Sequence, residues 1–239
     1  MVALLALPVL GADLAFEIPP VPVSLNIAGQ TVAIAISGDL SGSQDSITLK
    51  LRADLADFQS HITPLLQAEL NQSNPCGERI SVEKAMLAPA PPAGSLTVQL
   101  HFEKWVCIKA LGRENAKRLI GGNGTVNVTL TPALDDANTV RLDAAIGAID
   151  ADGALGDLLR SGTMGDAIRD KIREALLKAI QQSTVLEAAV PAQARPFVNI
   201  QSVAFAERGS GILMLNLQCR VLVPAEQISS LLEQFQHRK

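Results

Sequence analysis

Apolar and polar residues alternate along several segments of the chain, which is the pattern of β-strands that bury one face. The alternation is clearest from Leu96 to Phe102, where every second residue is apolar and the intervening residues are polar. Further one-sided strands are predicted at 21–37, 47–51, 80–87, 126–130 and 140–146, and two late strands at 198–205 and 212–223. The four strands between residues 80 and 146 predict an antiparallel meander with one apolar face.

The period changes to that of a helix between Ala53 and Leu70. Pro64 lies inside this stripe, so the helix is predicted either to kink there or to restart with Thr63 as its cap. One apolar face of the segment is formed by Leu55, Phe58, Ile62, Leu65 and Leu66.

Two more helices are predicted in the second half of the chain. The longer one runs from Thr163 to Gln182, about 30 Å at 1.5 Å per residue, and repeats apolar residues every fourth position at Ile168, Ile172, Leu176 and Ile180. A short terminal helix after Pro224 carries the stripe Ile228, Leu231, Leu232 and Phe235. The glycine-rich segment 121–124 is predicted to be a hairpin turn, because it lacks the spacing of a phosphate-binding loop.

The N-terminal segment bears on compartment and on domain division. Val2 to Ala12 resembles the apolar core of a secretory signal, although the first cation of the chain is Lys50. A buried strand, or a start inside a longer precursor, remains an alternative. We therefore divide the chain into residues 1–15, a signal segment or N-terminal strand, and a single domain at 16–239.

Composition narrows the functional classes. The 239 residues are 48% hydrophobic, 18% charged and 3% aromatic, with a net charge of −4. This balance argues against a nucleic-acid binder and against a disordered chain, and no apolar run reaches the 18 to 20 residues of a membrane-spanning helix. Scarce aromatic residues favour an aliphatic container over a catalyst.

The three cysteines offer a second indication of compartment. A Cys76–Cys107 bridge would close a loop of about 31 residues and stabilise the fold by about 3 to 4 kcal/mol. Its turn-like setting favours the disulfide and an oxidising compartment, periplasmic or secreted. The alternative is three buried free thiols in a cytosolic protein.

Sequence motifs for catalysis are lacking. His61, His101 and His237 are scattered, no cysteine pair has zinc-ligand spacing, and no nucleophile elbow occurs. We expect a non-enzymatic protein with no cofactor and no metal.

The order of elements resembles the TULIP superfamily of tubular lipid-binding proteins, which includes BPI-like proteins and SMP domains. The resemblance covers roughly residues 44 to 223 and rests on the first helix, the meander from Ile80 to Ile149, and the segment from Leu155 into the second helix. It implies an α+β fold in which a strongly curved antiparallel β-sheet wraps a long amphipathic helix, with a second long helix and a short C-terminal helix. The Cys76 and Cys107 pair is similar in kind to the single disulfide of BPI-like domains.

The resemblance implies that the protein is not a catalyst and binds a lipid, fatty acyl chain or sterol in an aliphatic tunnel. Transport of that ligand is a further expectation. The predicted tunnel walls are Phe58, Ile62, Leu66, Val98, Leu100, Val128, Leu142, Ile168, Ile172 and Leu176. A membrane surface is a second expected partner, self-association into a homodimer is left open, and nucleic acid is not expected. The alternative is an interaction module with a solid core, which docks a partner protein or membrane through Ile228, Leu231, Leu232 and Phe235.

Overall fold

Two antiparallel sheets make up most of the described chain. A computed structural model of the protein describes residues 14–27, 29–43, 46–71, 76–110, 113–135, 139–159 and 197–222, and positions 166, 170 and 174. The first sheet has the order β1–β2–β3–β9–β8, and the second is the meander β4–β5–β6–β7. In chain order the elements are β1 (Leu14–Ile27), β2 (Gln30–Ser43), β3 (Ser46–Asp54), α1 (Ala56–Leu70), β4 (Gly77–Ala90), β5 (Ala93–Ala110), β6 (Arg113–Leu134), β7 (Val140–Ala151), α2 (Gly153–Leu159), β8 (Val198–Glu207) and β9 (Leu213–Val221).

The predicted fold class is wrong for the described residues. The elements named above form two sheets and two short helices, and neither α1 nor α2 is a long amphipathic helix wrapped by a strongly curved sheet. The reason is a pairing between distant segments: Ile47 of β3 lies opposite Val221 of β9, so the last two strands join the first three. Periodicity reports which face of a strand is buried, but it does not report which strand lies beside it.

Several predicted elements lie outside the described residues. These are the terminal stripe, with Ile228, Leu231, Leu232 and Phe235, and most of the predicted second helix, with Ile168, Ile172 and Leu176. Three positions within that second segment are described: Asp166, Asp170 and Glu174 are helical and exposed.

Helix α1 is joined to the edge strand β4 by polar side chains spaced four residues apart. Gln59 Nε2 donates to the Leu87 carbonyl at 2.9 Å, and Gln67 Nε2 donates to the Val82 carbonyl at 2.9 Å. Between them, Thr63 Oγ1 donates to the Ala85 carbonyl and accepts from the Ala85 amide, both at 2.9 Å. The helix therefore satisfies backbone groups of β4 on the side that no strand covers.

Pro64 lies inside α1 without ending it. The helix continues to Leu70, so the predicted restart at Pro64 does not occur. Ile62, Leu65 and Leu66 are buried on its apolar face, as the stripe predicts.

The predicted turn at 121–124 is wrong, because these residues lie within β6. The glycines instead allow neighbouring elements to approach the backbone of β6 closely. A Cβ built on Gly122 would lie 2.9 Å from Leu155 Cβ of α2, and one on Gly124 would lie 3.2 Å from the Asp150 carbonyl oxygen. Glycine at these positions lets α2 and β7 pack onto the strand.

The inner faces of both sheets and the apolar face of α1 enclose one apolar core. On β5 the row Leu96, Val98, Leu100 and Phe102 is at most 1% exposed, as the alternation predicts. Strand β8 contacts β4, β5 and β6, which brings the two sheets together. The backbone amide of Phe205 donates to the Pro92 carbonyl at 3.0 Å and links β8 to the β4–β5 turn.

Candidate functional site

Most of the predicted tunnel residues that the structure describes are packed in the core. Five of them are buried: Ile62, Leu66, Val98, Leu100 and Val128. Their side chains contact other apolar residues of the same cluster. Two others, Phe58 on α1 and Leu142 on β7, are only half-buried at the margin of this core.

Strand β7 has a half-buried apolar face that continues on from Leu142. Ala144, Ile146, Ile149 and Ala151 lie on the same face, because they pair with the inward residues of β6. We call these five residues the β7 face. It spans nine residue steps, about 30 Å at 3.3 Å per residue.

The β7 face lies at the margin of the second sheet. Strand β7 pairs with β6 on one side and is the edge strand on the other. At one end the row is continued by Val140, which is buried. The inner apolar surface of this sheet is therefore fully covered in its middle and partly accessible along β7.

Polar chemistry is scarce around this surface. Among the described residues no polar or charged side chain is buried, and no buried side-chain nitrogen or oxygen lacks a partner. No group of three His, Cys, Asp or Glu residues that could hold a metal ion occurs in the described part of the chain. The arrangement can contact a ligand through apolar area, because it offers no buried donor or acceptor to orient one.

The predicted disulfide is confirmed. Cys76 and Cys107 are bonded, with their Cα atoms 5.6 Å apart. The third cysteine, Cys219 on β9, is a free thiol in the core, and burial raises its pKa to about 11. That thiol therefore stays neutral at ordinary pH and behaves as a small apolar side chain.

Glu103 on β5 is the described carboxylate with the most strongly lowered pKa. The Trp105 indole donates to its Oε2 at 2.8 Å, and Arg118 donates to its Oε1 at 2.9 Å. These two hydrogen bonds, with a smaller one from His101, lower its pKa to about 2. Arg79 lies over the Trp105 ring at 4.4 Å from the centroid and completes the cluster. The group braces three strands, β4, β5 and β6, and it includes no nucleophile.

Sequence reasoning named one residue of the β7 face and missed the others. Ala144 and Ile146 belong to the alternating row from which Leu142 was chosen, so the signal for them was present. Ile149 and Ala151 follow a register shift between Val126 and Val128 of β6, which breaks the two-residue period and conceals them.

Comparison with protein-family models, curated proteins and solved structures finds no match to this chain. None of these comparisons therefore identifies a TULIP domain, and membership of that superfamily stays a prediction. Within the described residues, no helix is both long and apolar enough to cross a membrane.

Proposed function

We propose that this protein is a non-catalytic binder of a hydrophobic ligand, such as a fatty acyl chain, another lipid or a sterol, which it holds against the β7 face. The observation that supports the proposal is the row of half-buried aliphatic side chains from Leu142 to Ala151, with no buried polar side chain among the described residues. Transport of that ligand is an extension of the same proposal.

An aliphatic ligand suits the β7 face better than a polar metabolite does. A polar metabolite would need buried donors or acceptors to orient it. An acyl chain needs none, because each methylene group that leaves water contributes about 0.8 kcal/mol. The length of the β7 face, about 30 Å, accommodates an extended chain.

The β7 face replaces most of the predicted tunnel walls as the proposed contact surface. Ile62, Leu66, Val98, Leu100 and Val128 are accounted for by packing within the core. Leu142 remains in the proposal as part of the β7 face. Phe58 is half-buried on α1, which packs beside β4 at the opposite edge of the second sheet, so it is not part of this contact surface.

The disulfide and the absence of a membrane-spanning helix among the described residues are compatible with an oxidising compartment. We propose a periplasmic or secreted location on that basis.

The first test is native mass spectrometry of the purified protein, followed by organic extraction and identification of the extract. A reproducible added mass of a few hundred daltons that extracts as a lipid or sterol supports the proposal. An unchanged mass after incubation with mixed lipids contradicts it.

A matched pair of variants tests the location of the ligand. Ile146→Gln places an amide on the β7 face, whereas Ala145→Gln places the same amide on the exposed outer face of the same strand. We expect Ile146→Gln to weaken binding of a fluorescent polyene fatty acid about tenfold, because burying an unpaired amide costs about 1 to 3 kcal/mol. Equal affinity in the two variants would place the ligand elsewhere.

A further inference from the structure

The hairpin formed by β5 and β6 extends beyond the rest of its sheet. Strand β4 begins at Gly77, which lies opposite Trp105, and β7 ends at Ala151, which lies opposite Gly124. Beyond Trp105, the described residues of β5 pair only with β6, from Val106 opposite Lys117 to the end of the hairpin. We call residues 105–110 and 113–119 the ribbon. Its five-residue extension past β4 is about 17 Å long at 3.3 Å per residue.

The inward row of β5 continues onto the ribbon, where it is exposed. Val106 and Ile108 follow Phe102 on the same face, but they are 37% and 53% exposed, whereas Phe102 is 0% exposed. Leu119, the extra residue of a register shift at the base of the ribbon, is 59% exposed. These three large aliphatic side chains are therefore concentrated on one protruding element.

Residues 104–120, which include the ribbon, have a net charge opposite in sign to that of the rest of the chain. Residues 104–120 contain five Lys and Arg and one acid, a net charge of +4. The whole chain has 20 Lys and Arg and 24 Asp and Glu, so the remaining residues have 15 and 23, a net charge of −8. Lys117 is exposed and pairs with Val106, so a cation and an apolar side chain share one face.

The base of the ribbon is braced. The disulfide joins Cys107 to Cys76, immediately before β4. The Trp105 indole N–H donates to Glu103, and Arg79 of β4 lies over the Trp105 ring. The disulfide and the Arg79 contact hold the ribbon to β4, and both the indole N–H and one face of the Trp105 ring are occupied.

We propose that the ribbon docks on an anionic lipid surface, with Val106, Ile108 and Leu119 among the headgroups and the exposed cation Lys117 on the lipid phosphates. Electrostatic attraction supplies the approach, and burial of the aliphatic side chains supplies a contact that salt does not screen. The acidic remainder of the chain is repelled by the same surface, so the ribbon is the part that faces the membrane.

A nucleic acid fits this element less well than an anionic membrane does. Exposed Val, Ile and Leu side chains find no counterpart on a phosphate backbone, and binding of single strands relies on free aromatic faces for stacking. The one aromatic side chain of the ribbon, Trp105, already lies under Arg79.

The test is co-flotation of the full chain with vesicles of phosphatidylcholine plus phosphatidylglycerol, compared with vesicles of phosphatidylcholine alone. We expect binding to the mixed vesicles only, and weaker binding as salt is raised. The double variant Val106→Ser/Ile108→Ser and the single variant Lys117→Glu should each weaken binding about tenfold, because a juxtamembrane cation and a few buried aliphatic groups each contribute on that order.

Matched controls separate the ribbon from general surface effects. Met86→Ser removes an apolar side chain that is 57% exposed on β4, and Lys50→Glu reverses an exposed cation on β3. Both should bind the mixed vesicles like the unaltered protein. All variants change exposed positions, and equal thermal unfolding midpoints check that each one is folded.

Equal binding to both kinds of vesicle, or equal losses in the controls and the ribbon variants, would overturn the proposal. If vesicle binding is absent, saturable binding of the full chain to single-stranded DNA would also overturn the proposal. Self-association that Lys117→Glu abolishes would do the same. The proposal does not rest on the ligand of the β7 face, because vesicle binding and lipid extraction are measured separately.

Discussion

The two halves of β5 follow one alternating pattern and reach opposite outcomes. From Leu96 to Phe102 the inward side chains are at most 1% exposed, whereas Val106 and Ile108 on the same row are exposed to solvent. The covered half lies between β4 and β6 in a sheet packed against other elements, and the uncovered half pairs only with β6. Alternation therefore assigns a side chain to a face, while burial depends on what lies over that face.

The largest expected effect separates the two halves directly. Phe102→Ala should destabilise the protein by about 3 to 5 kcal/mol, because it leaves a cavity in a fully buried site. Ile108→Ala, on the same row, should change the free energy of unfolding by less than about 0.5 kcal/mol. Urea unfolding of both variants checks the pair, and a comparable loss in Ile108→Ala would mean that another element covers the ribbon.

The second expected effect tests whether α2 packs on β6 at Gly122 but not at the neighbouring Gly121. Gly122→Ala should destabilise the protein by about 1 to 3 kcal/mol, because the added Cβ would lie 2.9 Å from Leu155 Cβ of α2. Gly121→Ala is the control, since its Cβ would have no neighbour closer than 3.4 Å. Thermal unfolding midpoints should differ between these neighbouring substitutions, and equal midpoints would mean that α2 does not pack on Gly122.

The smallest effect concerns Glu103, at the junction of the two halves. Its pKa of about 2 in the folded protein is below the ordinary value of 4.5, so the folded state favours the ionised carboxylate. The stabilisation is present above pH 4.5 and is lost as pH falls towards 2. The difference in unfolding midpoint between the unaltered protein and Glu103→Gln should therefore shrink over that interval.

Trp105→Phe sharpens the same measurement. Phenylalanine keeps an aromatic ring beneath Arg79 but removes the indole N–H, which is the largest cause of the lowered pKa. The acid-induced loss of stability should then begin at higher pH than in the unaltered protein. An unchanged pH profile would assign the effect to Arg118 instead.

Some of the structure was predictable because it depends on neighbouring residues along the chain. The alternation around Leu96–Phe102 identified the buried face of β5, and the helical stripe identified α1 to within a few residues. The turn-like setting of Cys76 favoured the disulfide with Cys107. The glycines at 121–124 misled, because close packing against α2 and turn formation require the same residue type.

The sequence by itself determined the local period of each strand, the apolar face of α1, the excess of acids over bases and the cationic composition of residues 104–120. The tertiary structure alone decided that β3 pairs with β9, that the predicted tunnel residues on β5 are filled core, and that the β7 face and the ribbon remain accessible. The physical reason is that periodicity arises from backbone geometry within a few residues, whereas strand partners and coverage arise from contacts between residues far apart in the chain.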